Sequence, residues 1–303
     1  MILGAGALPR NEGVCVGAQC QEGNVWSILG PRLPQVEHFC VGSDTASTLP
    51  STDGGEEGRP SRDAPGDGHS VVPFLVLQMR EGAETARVKA ARALCSFACY
   101  DPANCLTILR GGGLTSIQAG LHGSDTLQLV AVLLLSNLAT NVECKKDILR
   151  DALTPLVTLL MAGGFDARKA ALAALSNIAR LDAEASWAVV GSGALPWVIL
   201  GLEAESLEEA ALAALVLRSI VSTDAANSAA AVSAGAVEPL LHLLDGPCAD
   251  AKLHSMWALV ACVVHQHIDA GAVFPALCTF SAASSELGAE AGAALNIIAR
   301  ELI

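Results

Sequence analysis

The chain has 303 residues, enough for two average domains or for one elongated repeat array with a tail. Hydrophobic residues make up 52% but aromatics only 4% and charged residues 16%, so the apolar content is mostly Ala, Leu and Val, which favours closely packed helices and disfavours a β-rich fold. The 18 Lys and Arg against 31 Asp and Glu give a net charge of −13 and a pI near 4.9, which argues against nucleic-acid binding through phosphate contacts.

Residues 1–70 show no sustained periodicity. They end in the Gly-, Asp-, Glu- and Pro-rich run Ser51–Gly68, which cannot bury enough apolar surface to offset ordering entropy, so the stretch reads as a disordered tail or linker. The Trp26-Ser27-Ile28-Leu29 patch inside it reads as weakly structured sequence, with a short apolar docking motif as the alternative. Residues 1–10 lack the basic start and long apolar run of a secretory signal, and Ile2 excludes N-myristoylation. The 10 cysteines are diluted over the chain and sit mostly in apolar segments such as Leu94-Cys95-Ser96 and Ala261-Cys262-Val263, the pattern of reduced intracellular thiols. A cytoplasmic location, with the nucleus as an addition, is the expectation.

From Val71 onward the chain repeats. A small residue closes a turn before an apolar helix at Gly113-Leu114, Ala152-Leu153, Ala194-Leu195, Ala236-Val237 and Ala272-Val273, at separations of 39, 42, 42 and 36 residues. Such a period signals a helical solenoid, in which stacking of units supplies the core. A short helix with Pro in its first turn follows the junction in Leu153–Leu160, Leu195–Leu202 and Val237–Leu244, where the missing N–H of proline costs nothing. A longer Ala/Leu helix comes next, as in Arg168–Ala179 and Glu208–Leu217. The mean hydropathy of +0.46 raises the question of a membrane span. The longest uncharged window, Ala185–Leu202, carries Gly191-Ser192-Gly193 and Pro196 in its middle and reads as two short buried helices meeting at a turn, so no span is expected.

Leu134-Leu135-Ser136-Asn137-Leu138, Ala174-Leu175-Ser176-Asn177-Ile178, Trp257-Ala258-Leu259 and the Gly-Ala pairs 193–194, 235–236 and 271–272 resemble the armadillo repeat. The resemblance implies an all-α, right-handed armadillo-type helical solenoid over residues 71–303, of five units and a truncated sixth that stops within its third helix. HEAT repeats are the structural alternative.

The resemblance also implies that third helices line a concave groove, where the Asn of Leu-Ser-Asn hydrogen-bonds the backbone of an extended peptide. A side-chain amide offers that backbone both a donor and an acceptor. With Leu94, Leu135, Leu175, Leu215, Leu259 and Leu295 as anchors, the groove position two residues later holds Ser96, Asn137, Asn177, Leu217, Ala261 and Ile297. One helical turn earlier stand Arg92, Leu133, Ala173, Ala213, Trp257 and Ala293. The expected partner-binding set is therefore Arg92, Ser96, Leu133, Asn137, Lys169, Asn177 and Trp257. Against that stands a second reading: Asn137 and Asn177 as amides satisfied by caps or neighbours, and Trp257 as core or wall. Importin-α-like nuclear transport adaptors pair Trp with Asn in arrays, whereas Trp257 lacks an Asn partner, both Asn residues lack a Trp, and the only basic residues of the tail are Arg10, Arg32, Arg59 and Arg62.

Residues 72–180 carry 11 basic and 8 acidic side chains, a net +3, and residues 181–303 carry 3 and 14, a net −11. Arg87, Lys89, Arg92, Arg168 and Lys169 make the early face either mildly cationic or simply solvated. The late half is expected to attract a basic partner segment, and the apolar end of the sixth unit to be covered by a partner or a second copy or else to fray first. Cys95, Cys99 and Cys105 lack the second close cysteine pair of a zinc site, Cys262, His265 and His267 form the other cluster at a helix end and the following turn, and no phosphate loop, metalloprotease helix or nucleophile elbow occurs, so no cofactor, metal or catalytic residue is expected. The leading function is a non-enzymatic protein-interaction scaffold. The alternatives are a nuclear transport adaptor and, behind it, an enzyme or enzyme regulator using Cys262 and His265.

Overall fold

The computed structural model describes residues 68–180, 182–282 and 285–301. The expected tail lies outside these residues except where the first helix begins at Gly68, three positions before the anticipated boundary.

Among the described residues there are sixteen α-helices and two 3-10 turns, and no strand. The first unit is α1 (Gly68–Glu81) and α2 (Glu84–Tyr100), and the second is α3 (Pro102–Arg110), α4 (Gly113–Leu121) and α5 (Asp125–Leu138). The third opens with the turn Val142–Cys144 and continues in α6 (Lys145–Asp151), α7 (Leu153–Ala162) and α8 (Phe165–Ala179). The fourth is α9 (Ala183–Gly191), α10 (Leu195–Leu202) and α11 (Leu207–Val221), and the fifth is α12 (Ala225–Ser233), α13 (Val237–Asp245) and α14 (Ala249–Val264). In the sixth, the turn Ala270–Ala272 precedes α15 (Phe274–Ser281) and α16 (Glu286–Glu301). The shortening expected in the third helix of this unit falls on its first: α16 has 16 residues, as α14 does, and only the three-residue turn stands where the first helix would be.

Local chemistry explains the punctuation. Gly112, Gly193 and Gly235 enter the second helices of their units with φ of 85°, 81° and 89°, left-handed values that a Cβ opposes. Oxygens of Ser124, Asp182, Ser206 and Asp224 accept first-turn N–H groups of α5, α9, α11 and α12. The uncharged window is bent by 88° between α9 and α10, and no single helix among the described residues is long and apolar enough to cross a membrane.

Third helices stack side by side, α2 on α5, then α8, α11, α14 and α16, while second helices lean on them and on one another. The anchors Leu94, Leu135, Leu175 and Leu259 are fully enclosed and Leu215 is nearly so, which places the core between third helices and their own second helices. In α5, α8, α11 and α14 almost every central position is buried, so these helices are apolar nearly all round.

Candidate partner-binding face

The layer of third helices holds all seven residues expected to meet a partner, in different states. Arg92 and Ser96 are exposed on α2, and the Ser96 hydroxyl donates back to the Arg92 carbonyl at 3.2 Å. Leu133 is buried in α5. Asn137 is 5% exposed and its amide donates to the Cys99 thiol sulfur at 3.1 Å, while Asn177, 8% exposed, donates to Ser136 Oγ at 3.0 Å. Both amides thus bridge to the preceding third helix, the arrangement of the second reading. Lys169 is held between Glu208 (2.7 Å) and Asp166 (3.5 Å), with its ammonium 4.5 Å from the centre of the Phe165 ring.

Trp257 is wall and core: it is 1% exposed, and its indole N–H donates to Glu290 on α16 at 3.0 Å. The Arg218 guanidinium lies 5.7 Å from its ring centre, a cation over an aromatic face. Arg218 itself is 1% exposed, its Nε has no partner among the described residues, and burial lowers its pKa to about 10, with nearby Arg180 adding to the effect and Glu290 opposing it. Sequence reasoning missed this buried cation. Its signal was the slot three residues after the anchor, which holds Phe97, Leu138, Ile178, Cys262 and Ile298 in the other units and Arg218 here.

The charge split along the chain resolves at one seam. Lys145 of the third unit pairs with Asp182 and Glu184 of the fourth, Lys169 with Glu208, and Arg168 with Glu209 in a two-bond grip of 2.9 and 3.2 Å. Among the described residues, every ion pair between units lies at this seam. Arg87 is likewise engaged, donating to the carbonyls of Met79 and Ala119. Lys89 and Arg92 stay exposed on the early face. In the late half, Glu203, Glu205, Asp245 and Asp250 are exposed beside the turns between second and third helices.

The four buried thiols Cys95, Cys105, Cys144 and Cys262 are poorly suited to nucleophilic work. Burial pushes Cys105 up to about 11 and Cys144 up to about 12, and raises Cys95 and Cys262 as well, although a Ser228 hydrogen bond partly offsets the shift at Cys262. His265 Nδ1 is enclosed without a partner, and burial lowers its pKa. Among the described residues no group of three or more His, Cys, Asp or Glu is placed to hold a metal ion.

Residues 141–180, which are the third unit, match the family described as the Armadillo/beta-catenin-like repeat. Among solved structures, an engineered protein is 27% identical with a TM-score of 0.70, covering 76% of this chain and 97% of that one. A designed armadillo repeat protein in complex with the peptide (KR)4 is 24% identical with a TM-score of 0.70, over 75% of this chain and 99% of that one. Computationally designed armadillo repeat proteins for modular peptide recognition match at 24% identity and a TM-score of 0.68. No curated protein matches the sequence. The molecule is a helical repeat solenoid built for stacking. More narrowly, it has the armadillo fold, and its third unit matches the armadillo/β-catenin-like repeat.

Proposed function

We propose that the chain is a non-enzymatic scaffold that binds an extended, basic segment of a protein partner along its third helices. The observation that carries the reading is the continuous third-helix layer combined with its charge: units four to six hold 14 acids against 3 bases. Of those three bases, Arg218 is enclosed and Lys252 lies over the Phe280 ring. The designed relative's complex with a (KR)4 peptide supports the same partner chemistry. A nuclear transport adaptor is the weaker reading, because an enclosed Trp257 offers no open indole to hold a lysine stem. An enzyme using Cys262 and His265 is weaker still, since burial raises the thiol's pKa. The site is proposed on the cytoplasmic side of the cell, with the nucleus as a second location.

The test is titration of the full chain with a fluorescent (KR)4 octapeptide and with its Glu/Asp counterpart, at about 50 and about 300 mM salt. Preference for the basic peptide with at least a tenfold loss at high salt is expected, because exposed charges are screened over about 10 Å or less. Equal binding of both peptides, or binding independent of salt, overturns the basic-partner reading.

A further inference from the structure

The second helix of the second unit, α4, leans on α1. The fully buried Ser116 hydroxyl of α4 donates to the Val76 carbonyl of α1 at 2.9 Å, and a Cβ at Gly120 would stand 3.2 Å from Met79 Cε. In this way α1 commits Val72, Val76 and Met79, all at most 2% exposed, to the solenoid. Its other face carries Val71, Phe74 and Leu77 at 45%, 60% and 44% exposure, three residues apart and therefore in one stripe. A helix that is apolar on two faces is built to be covered on both, and no described helix precedes α1 to cover the second.

We propose that Val25–Leu29 of the same chain docks on this stripe and caps the solenoid. Three observations select this occupant. The segment is joined to α1 by the 38 residues of 30–67, and a flexible tether of that length has a root-mean-square reach of about 34 Å. That exceeds the roughly 21 Å length of a 14-residue helix and sets an effective concentration of about millimolar. Next, Val25, Trp26, Ile28 and Leu29 put four apolar side chains within five positions, between Gly23 and Gly30-Pro31, a short apolar patch of the kind that a stripe of three apolar side chains can take up. Charge supplies the third. Residues 1–67 hold 4 basic and 9 acidic side chains, so the net +3 of residues 72–180, with Lys89 and Arg92 exposed on α2, attracts the tail, and the net −11 beyond repels it. The docking is independent of what the third-helix layer binds.

The experiment uses the full chain with Phe74→p-benzoylphenylalanine, irradiated at several concentrations and mapped by mass spectrometry. A concentration-independent cross-link within one chain to residues 22–32 is expected, lost in a Trp26→Ser/Leu29→Ser variant. In that variant the amides of α1 should also exchange at least tenfold faster while those of α8 and α11 do not change. A cross-link to a second copy, a cross-link elsewhere in the chain, no cross-link, or unchanged exchange of α1 each overturns the proposal.

Discussion

Arg218 and His254 share one enclosed contact, with Nη1 of the guanidinium 3.4 Å from Nδ1 of the imidazole and both side chains more than nine-tenths buried between α11 and α14. A guanidinium cannot accept, so His254 must accept on Nδ1, which fixes a neutral ring protonated at the other nitrogen. Burial, and then the adjacent cation, push His254 down to about 3 from an ordinary value of 6.5.

This depression makes stability depend on pH. The unfolded chain takes up the proton near pH 6.5 and the folded chain only near about 3, so the contribution of the neutral ring is complete above pH 6.5 and is lost as pH falls toward about 3. Urea unfolding of the wild type should weaken on acidification through this window, and His254→Gln should weaken by up to ~1.4 kcal/mol less per pH unit. His265 titrates in the same direction in both proteins and cancels in the comparison. Parallel profiles for the two proteins would refute the assignment.

The bridge from Asn177 to Ser136 predicts a stability effect. Asn177→Ala should cost about 1–2 kcal/mol in urea unfolding, and Asn137→Ala less, because its partner is the softer Cys99 sulfur. If either variant keeps its stability and loses only peptide binding, the amides serve the ligand.

At the seam, Glu209→Gln should destabilise by about 1–3 kcal/mol, since the carboxylate is nearly enclosed and grips Arg168 through two bonds. Glu208→Gln, at an exposed pair, should stay within about 0.5 kcal/mol. A double-mutant cycle of Arg168→Met with Glu209→Gln separates the pair from its surroundings, and a coupling near zero would show that the ion pair adds nothing.

Gly235→Ala tests backbone conformation alone, because nothing lies within 4 Å of the added Cβ and φ is 89°. A cost of about 1–2 kcal/mol is expected. Gly191→Ala, equally open but without a positive φ, should be neutral or stabilising by up to about 1 kcal/mol. Equal effects at the two sites would remove the conformational explanation.

What could be read in the chain beforehand was what short segments decide. Pro196 and Pro239 in first turns, the Gly193-Ala194 and Gly235-Ala236 junctions, and the enclosed anchors Leu135 and Leu175 each follow from residues within one or two turns. The states of the candidate contact residues were not decided so locally. Asn177 is satisfied by a side chain 41 positions earlier, Lys169 by one 39 positions later, and Trp257 by Glu290 33 positions later. Those partners become neighbours only once units stack, so the type of residue was visible while its availability was not.

The seam between the third and fourth units also bears on how freely such a chain can be recut. In register with the anchors, Arg168 and Lys169 of the third unit occupy the places that Glu208 and Glu209 hold in the fourth. A tandem copy of the third unit would therefore set Lys169 against the copy's Arg168 and Arg168 against the copy's Lys169, where like charges repel. Duplicating the third unit at that joint reverses an attraction, whereas the other joints between described units carry no ion pair, so this one module cannot be repeated in tandem at will.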